Sequence, residues 1–228
     1  IGGHHATVLP TEFNTRQFDL VVIGEGTEAM RQVARRLEKG RSLDDIPGLA
    51  FPGDPMRFTE KRSHPPLDTL PLPDRTLSAR YRDRYFNEWF KPAAVLRTSA
   101  GCPFRCTFCS IWGTYNGKYL RRSLEPVLEE LASIEEPNIY LADDEALLDT
   151  KRAHRLADMI REAGIQNNFQ CYTRIDTIVN HLDLIEKWRN IGLSTVYVGF
   201  EGISDDELDK MKKRITVEQQ ARAIEILH

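Results

Sequence analysis

From residue 93 onward the chain alternates short apolar runs with helical patterns, and that alternation restricts the fold more than any other feature. Residues 94–98, 138–142, 169–173 and 195–200 each read as a strand. Between the first two, Ser123 is placed to cap a helix with Pro126 in its first turn and Val127, Leu128 and Leu131 facing inward. A helix from about Thr150 carries Ala153, Leu156, Ala157 and Ile160 on one face and ends at Gly164; another, marked by Leu182, Ile185 and Trp188, closes at Gly192. Ser204 with Glu207, and Thr216 with Gln219, are capping-box pairs for two more. Strands separated by helices run parallel, because a parallel connection needs a long crossover. The expectation is an α/β fold containing the first four βα units of a partial TIM-like barrel, with its active groups at the carboxyl ends of the strands.

The end of the first strand carries the chemistry. Cys102, Cys106 and Cys109 fall in one short run, Cys-x3-Cys-x2-Cys, with no fourth cysteine beside them. Three thiolates on one loop hold three irons of a four-iron cluster and leave the fourth iron open, as a catalytic zinc keeps an open position that a structural zinc lacks. A structural zinc site fits less well, since it wants four ligands in two pairs and the six histidines form no such pair. A disulfide staple is a poor fit in a chain of this size without a secretory segment. Cys171, alone in an apolar run, reads as a buried strand residue.

Upstream, residues 1–50 form a first region. Residues 19–24 read as a short buried strand ending in glycine, and the Gly24-Glu25-Gly26 turn leads into a helix with Met30, Val33, Ala34 and Leu37, stopped at Gly40. Gly2-Gly3 follows what reads as the end of an earlier strand. Strand, glycine turn and helix, twice, are the elements of a doubly wound domain. Residues 52–73 hold six of the twelve prolines, so residues 51–92 are expected to be a Pro-rich linker. Within it, Arg75, Arg80, Arg82 and Arg84 interleave with Tyr81, Tyr85, Phe86, Trp89 and Phe90, which reads as a solvated helix face backed by an aromatic core stripe.

The cysteine spacing, with Phe108 before the last cysteine, resembles that of the radical S-adenosylmethionine (radical SAM) enzymes. The order of parts resembles their cobalamin-binding members over nearly the whole chain: a Gly-Gly-x-His-Ala-Thr turn, Asp-x-Val-Val-x-Gly-Glu-Gly, the connector Leu70-Pro71-Leu72-Pro73-Asp74, then the cluster loop. The resemblance implies the C-terminal part of a doubly wound cobalamin-binding domain in residues 1–50 and an incomplete radical SAM barrel in residues 93–228. It implies a 4Fe-4S cluster on Cys102, Cys106 and Cys109, S-adenosylmethionine on the open iron, and cobalamin at Gly2, Gly3, Gly24, Glu25 and Gly26. Around S-adenosylmethionine it implies Phe108, Asp143 and Asp144, Arg174 and Glu201. Ala146-Leu147-Leu148 replaces the family's usual Phe, and Gly202 replaces the Ser of Gly-Phe-Glu-Ser. Neither His4 nor His5 sits at the family's cobalt-ligating motif.

The implied reaction is reductive cleavage of S-adenosylmethionine to a 5′-deoxyadenosyl radical, followed by methyl transfer through cobalamin, or by cyclisation or rearrangement in some members. A small-molecule substrate and a low-potential electron donor follow from it. A non-catalytic metal or cobalamin sensor is the alternative from another class. Thirty-one basic against thirty-four acidic residues leave no general affinity for nucleic acid. No apolar run has membrane-spanning length, and clustered reduced thiols favour the cytoplasm. The chain opens without Met and stops inside a helical pattern at His228, so a piece of a longer protein is expected.

Overall fold

The computed structural model describes all 228 residues. The first region begins with helix α1 (His4–Val8), strand β1 (Val21–Val22) and helix α2 (Gly26–Glu38). The amino group of Ile1 donates to the Leu20 carbonyl at 3.0 Å, and Val22 N donates to the Ile1 carbonyl at 2.8 Å. That alternation is the slanted pattern of a parallel pair. Strands β2 (Leu49–Phe51) and β3 (Arg57–Phe58) then join antiparallel, in the order β1-β2-β3. Val22 and Leu49 pack with Ala29 and Val33 of α2, while Val21 and Ala50 pack with Ala6 of α1. Neighbouring residues of a strand point to opposite faces, so the two helices cover the two faces of one small sheet.

Two expectations change here. The sheet does not stop at residue 50: β2 spans that position and β3 lies wholly within the expected linker. Pro52 and Pro55 sit in the connecting turn, where no ladder donor is needed. The two strands that follow α2 also run antiparallel, so the doubly wound pattern ends with it. Beyond β3 the chain straps onto the second region. His64 stacks on Tyr115 with ring centroids 4.7 Å apart, Leu67 and Leu70 pack with Ala100, and Asp68 accepts from both Ser123 N and Ser123 Oγ at 2.8 and 2.7 Å. Ser123 therefore caps nothing, because its hydroxyl is turned to Asp68. The 3-10 helix over Arg75–Arg84 is another correction. Arg75 pairs with Glu130 and Arg82 with Glu136, but Tyr85, Phe86 and Trp89 lie exposed instead of forming a core stripe.

The second region starts with β4 (Ala93–Leu96) and continues through a two-stranded antiparallel frame, β5 (Ser99–Ala100) with β6 (Leu120–Arg121), which encloses the cysteine run and the short helix α3 (Ile111–Thr114). Then come α4 (Leu124–Ala132), β7 (Asn138–Leu141), α5 (Thr150–Glu162), β8 (Asn168–Tyr172), α6 (Ile175–Asn180), α7 (Leu182–Asn190), β9 (Leu193–Tyr197), α8 (Asp205–Lys210) and α9 (Val217–Leu227). The main sheet is β4-β7-β8-β9, parallel and in chain order.

Its two faces differ. Leu96, Leu141, Cys171 and Phe169 meet Leu131, Leu156, Ile160 and Trp188 of the helices in one apolar core of 23 buried residues. Burying a side chain such as Leu141 or Phe169 there contributes roughly 1.5–3 kcal/mol. Cys171 is wholly enclosed, and burial pushes its thiol up, so it is a core residue. The opposite face presents Val95, Tyr140, Gln170, Tyr172 and Tyr197, with Tyr172 and Tyr197 stacked 4.8 Å apart. Helix α9 has the full capping box read from Thr216 and Gln219, whereas the Glu207 carboxylate reaches Ile203 N and leaves the α8 box half formed.

Candidate active site

The cysteine run leaves β5 through Gly101, whose φ is +82°. A Cβ at this position would lie 2.2 Å from the Lys118 carbonyl, so glycine is required by both backbone and space. Two acids after β7 fasten the entry. Asp143 accepts from Thr98 N at 2.6 Å, Thr98 Oγ1 at 2.5 Å and Ser99 Oγ at 2.8 Å, and Asp144 accepts from Gly101 N at 2.6 Å. Farther along, Thr107 N donates to the Met211 carbonyl at 3.0 Å, Cys106 Sγ lies 3.9 Å from the Lys212 carbonyl, and Trp112 Nε1 donates to the Cys106 carbonyl at 3.2 Å. The loop is thus held from β7, from the segment after α8 and from its own following helix.

All three cysteines are free thiols, with Cys106 buried and Cys102 and Cys109 half-buried. Burial and nearby Glu145 push the Cys102 thiol up to about 11, while Arg174 pulls it down. No three Cys, His, Asp or Glu side chains converge closely enough to hold a single metal ion. A four-iron cluster takes each thiolate on a different iron, so its donors need not converge. Cations stand around the loop: Arg174 lies 3.6 Å over the Phe104 ring, and Lys213 Nζ is 5.5 Å from the Phe108 ring. Three free thiols on one anchored loop are the donor set of a thiolate-bound cluster.

The other expected residues divide. Asp143 is 2% exposed and its oxygens are committed to Thr98 and Ser99, so it ties the end of β7 to the segment that enters β5. Asp144 is bound to the loop backbone. Arg174 pairs with Asp176 at 2.8 Å and donates to the Lys213 carbonyl at 2.7 Å, so the ion pair between the two residues exists and is anchored to the chain after α8. Glu201, in the left-handed region with φ +52°, pairs with Lys213 at 3.1 Å. Gly199 makes room for that pair, since a Cβ there would sit 2.2 Å from Glu201 Oε1. Phe108 is exposed at the loop.

Two further residues sit beside these: Lys213, and Glu145, the third acid of the strand-end cluster with Asp143 and Asp144. Lys213 is 8% exposed, yet in sequence it lies in a run of lysines that reads as surface. Glu145 is 2% exposed and accepts from Thr173 Oγ1 at 2.6 Å; burial pushes its carboxyl up to about 7 against the pull of Thr173 and Arg174. Its strand-end position was the one available signal.

In the first region, Gly2, Gly3, Gly24 and Gly26 line one cleft of about 840 Å³ with Phe18, Val22, Met30 and Leu37. A Cβ on Gly3 or Gly24 would meet nothing within 4 Å, so the bare glycines leave the cleft open. Glu25 differs from expectation. Its carboxylate caps α2 by accepting from Thr27 N and Glu28 N, and it does not line the cleft. An apolar cleft walled by side-chain-free turns fits a flat organic group such as the nucleotide tail of cobalamin.

The model of the radical SAM superfamily matches residues 96–228. The chain is 30% identical over 231 residues to the hopanoid C-3 methylase of Methylococcus capsulatus, covering 99% of this chain and 44% of that protein. It is 25% identical over 238 residues to an anaerobic magnesium-protoporphyrin IX monomethyl ester cyclase of Rubrivivax gelatinosus, covering 100% of this chain and 42% of the relative. Among solved structures, the cobalamin-dependent S-adenosylmethionine radical enzyme OxsB shares the fold with a TM-score of 0.79 at 21% identity, over 99% of this chain and 34% of OxsB. The chain therefore belongs to the radical SAM superfamily of enzymes, whose domain implies a 4Fe-4S cluster and S-adenosylmethionine. It spans less than half the length of these relatives. No helix is long and apolar enough to cross a membrane.

Proposed function

We propose that this chain is the cofactor-holding part of a cobalamin-dependent radical SAM C-methyltransferase. The observation that carries the reading is the anchored loop of three free thiols at the carboxyl end of a parallel sheet, joined by a docked strap to a second, glycine-walled cleft. The hopanoid methylase among the relatives supports methyl transfer. A small-molecule substrate, a low-potential electron donor and a cytoplasmic setting complete the proposal, with residues 1–58 as the cobalamin-binding part and 93–228 as the radical SAM part.

Cys102, Cys106 and Cys109 hold the cluster, and Asp144 keeps their loop in place through Gly101 N. When bound, the cluster and S-adenosylmethionine supply a carbon-centred radical, and cobalamin supplies the methyl group. Lys213 and Arg174 offer positive charge to the carboxylate of S-adenosylmethionine. Glu201 and Asp176 offer acceptors to its ammonium and ribose hydroxyls. Phe108 covers the loop and packs by the adenine. Tyr140, Tyr172 and Tyr197 face the open side of the sheet, where aromatic surface excludes water from a reacting carbon.

The test uses the full-length protein, reconstituted anaerobically. Cys106→Ser is expected to lose the brown cluster absorbance and the formation of 5′-deoxyadenosine together; keeping either overturns the assignment. S-adenosylmethionine with a deuterated methyl group separates the alternatives. A labelled methyl on the product supports the methyltransferase, deoxyadenosine without labelled product favours the cyclase reading that the Rubrivivax relative raises, and bound metal without turnover favours a sensor.

A further inference from the structure

We propose that Arg105, Lys212 and Arg214 form the docking edge for an acidic one-electron carrier protein that reduces the cluster on Cys102, Cys106 and Cys109; this rests on the function proposed above. The first observation is how thin the wall is. Cys106 is the buried member of the three, and its sulfur lies 3.9 Å from the carbonyl of Lys212, a residue whose side chain is exposed. One residue of chain separates that sulfur from the surface, and the Thr107 N to Met211 carbonyl bond fixes it there.

The second observation is the charge on that wall. Lys212 and Arg214 adopt left-handed backbone, with φ of +55° and +60°, on either side of the inward-turned Lys213. Lys213 is neutralised by Glu201 and Lys210 by Asp206, whereas Lys212 and Arg214 stand exposed without an acidic partner. On the other side of Cys106, exposed Arg105 reaches over the Trp112 ring at 5.9 Å, and that indole holds the Cys106 carbonyl. Of the four acids on neighbouring α8, Asp206 is paired with Lys210, Asp205 and Glu207 are turned to Val217 N and Ile203 N, and Asp209 is the one opposing carboxylate with neither kind of partner.

Unneutralised cations beside a redox centre steer an acidic partner and orient it at encounter, and electron-transfer encounters are small, wet and salt-sensitive. The step balances simply. The carrier's reduced flavin or iron–sulfur centre loses one electron and the cluster gains it, with no bond made or broken.

The test mixes the full-length, cluster-loaded protein with a reduced acidic flavodoxin and follows flavodoxin oxidation by stopped flow. Lys212→Glu with Arg214→Glu should slow the second-order rate about tenfold or more at low salt, and high salt should erase the difference. Lys212→Asn with Arg214→Asn, which keeps residues tolerant of positive φ, should give an intermediate loss. Photoreduction by neutral deazariboflavin should be unchanged in both variants. Equal flavodoxin rates and equal salt dependence in variants that still accept an electron from deazariboflavin overturn the docking edge alone. A wild-type protein that assembles no cluster overturns the function and the edge together.

Discussion

The two regions proposed to hold cofactors are built on opposite principles. The cysteine loop is defined by what is present: three donors, tied down by Asp144, Met211, Lys212 and Trp112. The upstream cleft is defined by what is missing, since Gly3 and Gly24 leave space where any Cβ would project. A loop of that kind fails when one donor or one anchor goes. A cleft of that kind fails when something is added.

Cys102→Ala or Cys109→Ala gives the largest effect separating them. Either is expected to abolish cluster assembly, read by iron content and visible absorbance, while cobalamin binding by the same preparation persists. Glu145 gives the next. Its carboxyl is raised to about 7 in the fold from an ordinary 4.5, so the folded state binds its proton more tightly than the unfolded chain. Stability from this group is full below about pH 4.5 and is lost as pH rises through 7, by up to about 3 kcal/mol. Denaturant unfolding of the metal-free protein across that range should show the slope, and Glu145→Gln should flatten it.

Asp143→Ala strips partners from one buried N–H and two hydroxyls, and a loss of about 2–3 kcal/mol is expected in the same unfolding assay. The affinity of folded, cluster-loaded protein for S-adenosylmethionine should hold, because both Asp143 oxygens are taken up by Thr98 and Ser99; a selective loss of affinity would restore it as a contact. The smallest effect belongs to Gly26→Leu. A Cβ there meets Val22 Cγ1 at an ordinary 3.7 Å, so the fold should tolerate it, and a helix former at this position is favourable. The added side chain fills the cleft, and cobalamin affinity should fall about tenfold, or 1.4 kcal/mol, with cluster content unchanged.

The four parallel strands are legible in the sequence to within three residues at either end, because each is a short apolar run bounded by helix punctuation. Cys102, Cys106 and Cys109 were legible because no bland pattern produces their spacing. The hairpin of β2 and β3 was not, since Pro52 and Pro55 mark its turn as they would mark a linker. Asp143 and Asp144 look alike in sequence; which one faces inward depends on the positions of Thr98 and Gly101, some 45 residues away. Lys213 escaped for a similar reason. A buried lysine among surface lysines is distinguished by its partner Glu201, and that pairing exists only once the chain has folded back.

The strap from His64 to Asp68 carries a mechanical consequence. Its imidazole contacts the Thr114 carbonyl at 2.9 Å and its acid grips Ser123, so both ends clasp the stretch that closes the cysteine loop. Such a splint transmits torque. The distance from the cysteine loop to the upstream cleft is then a built-in length, set by a docked strap instead of a free tether.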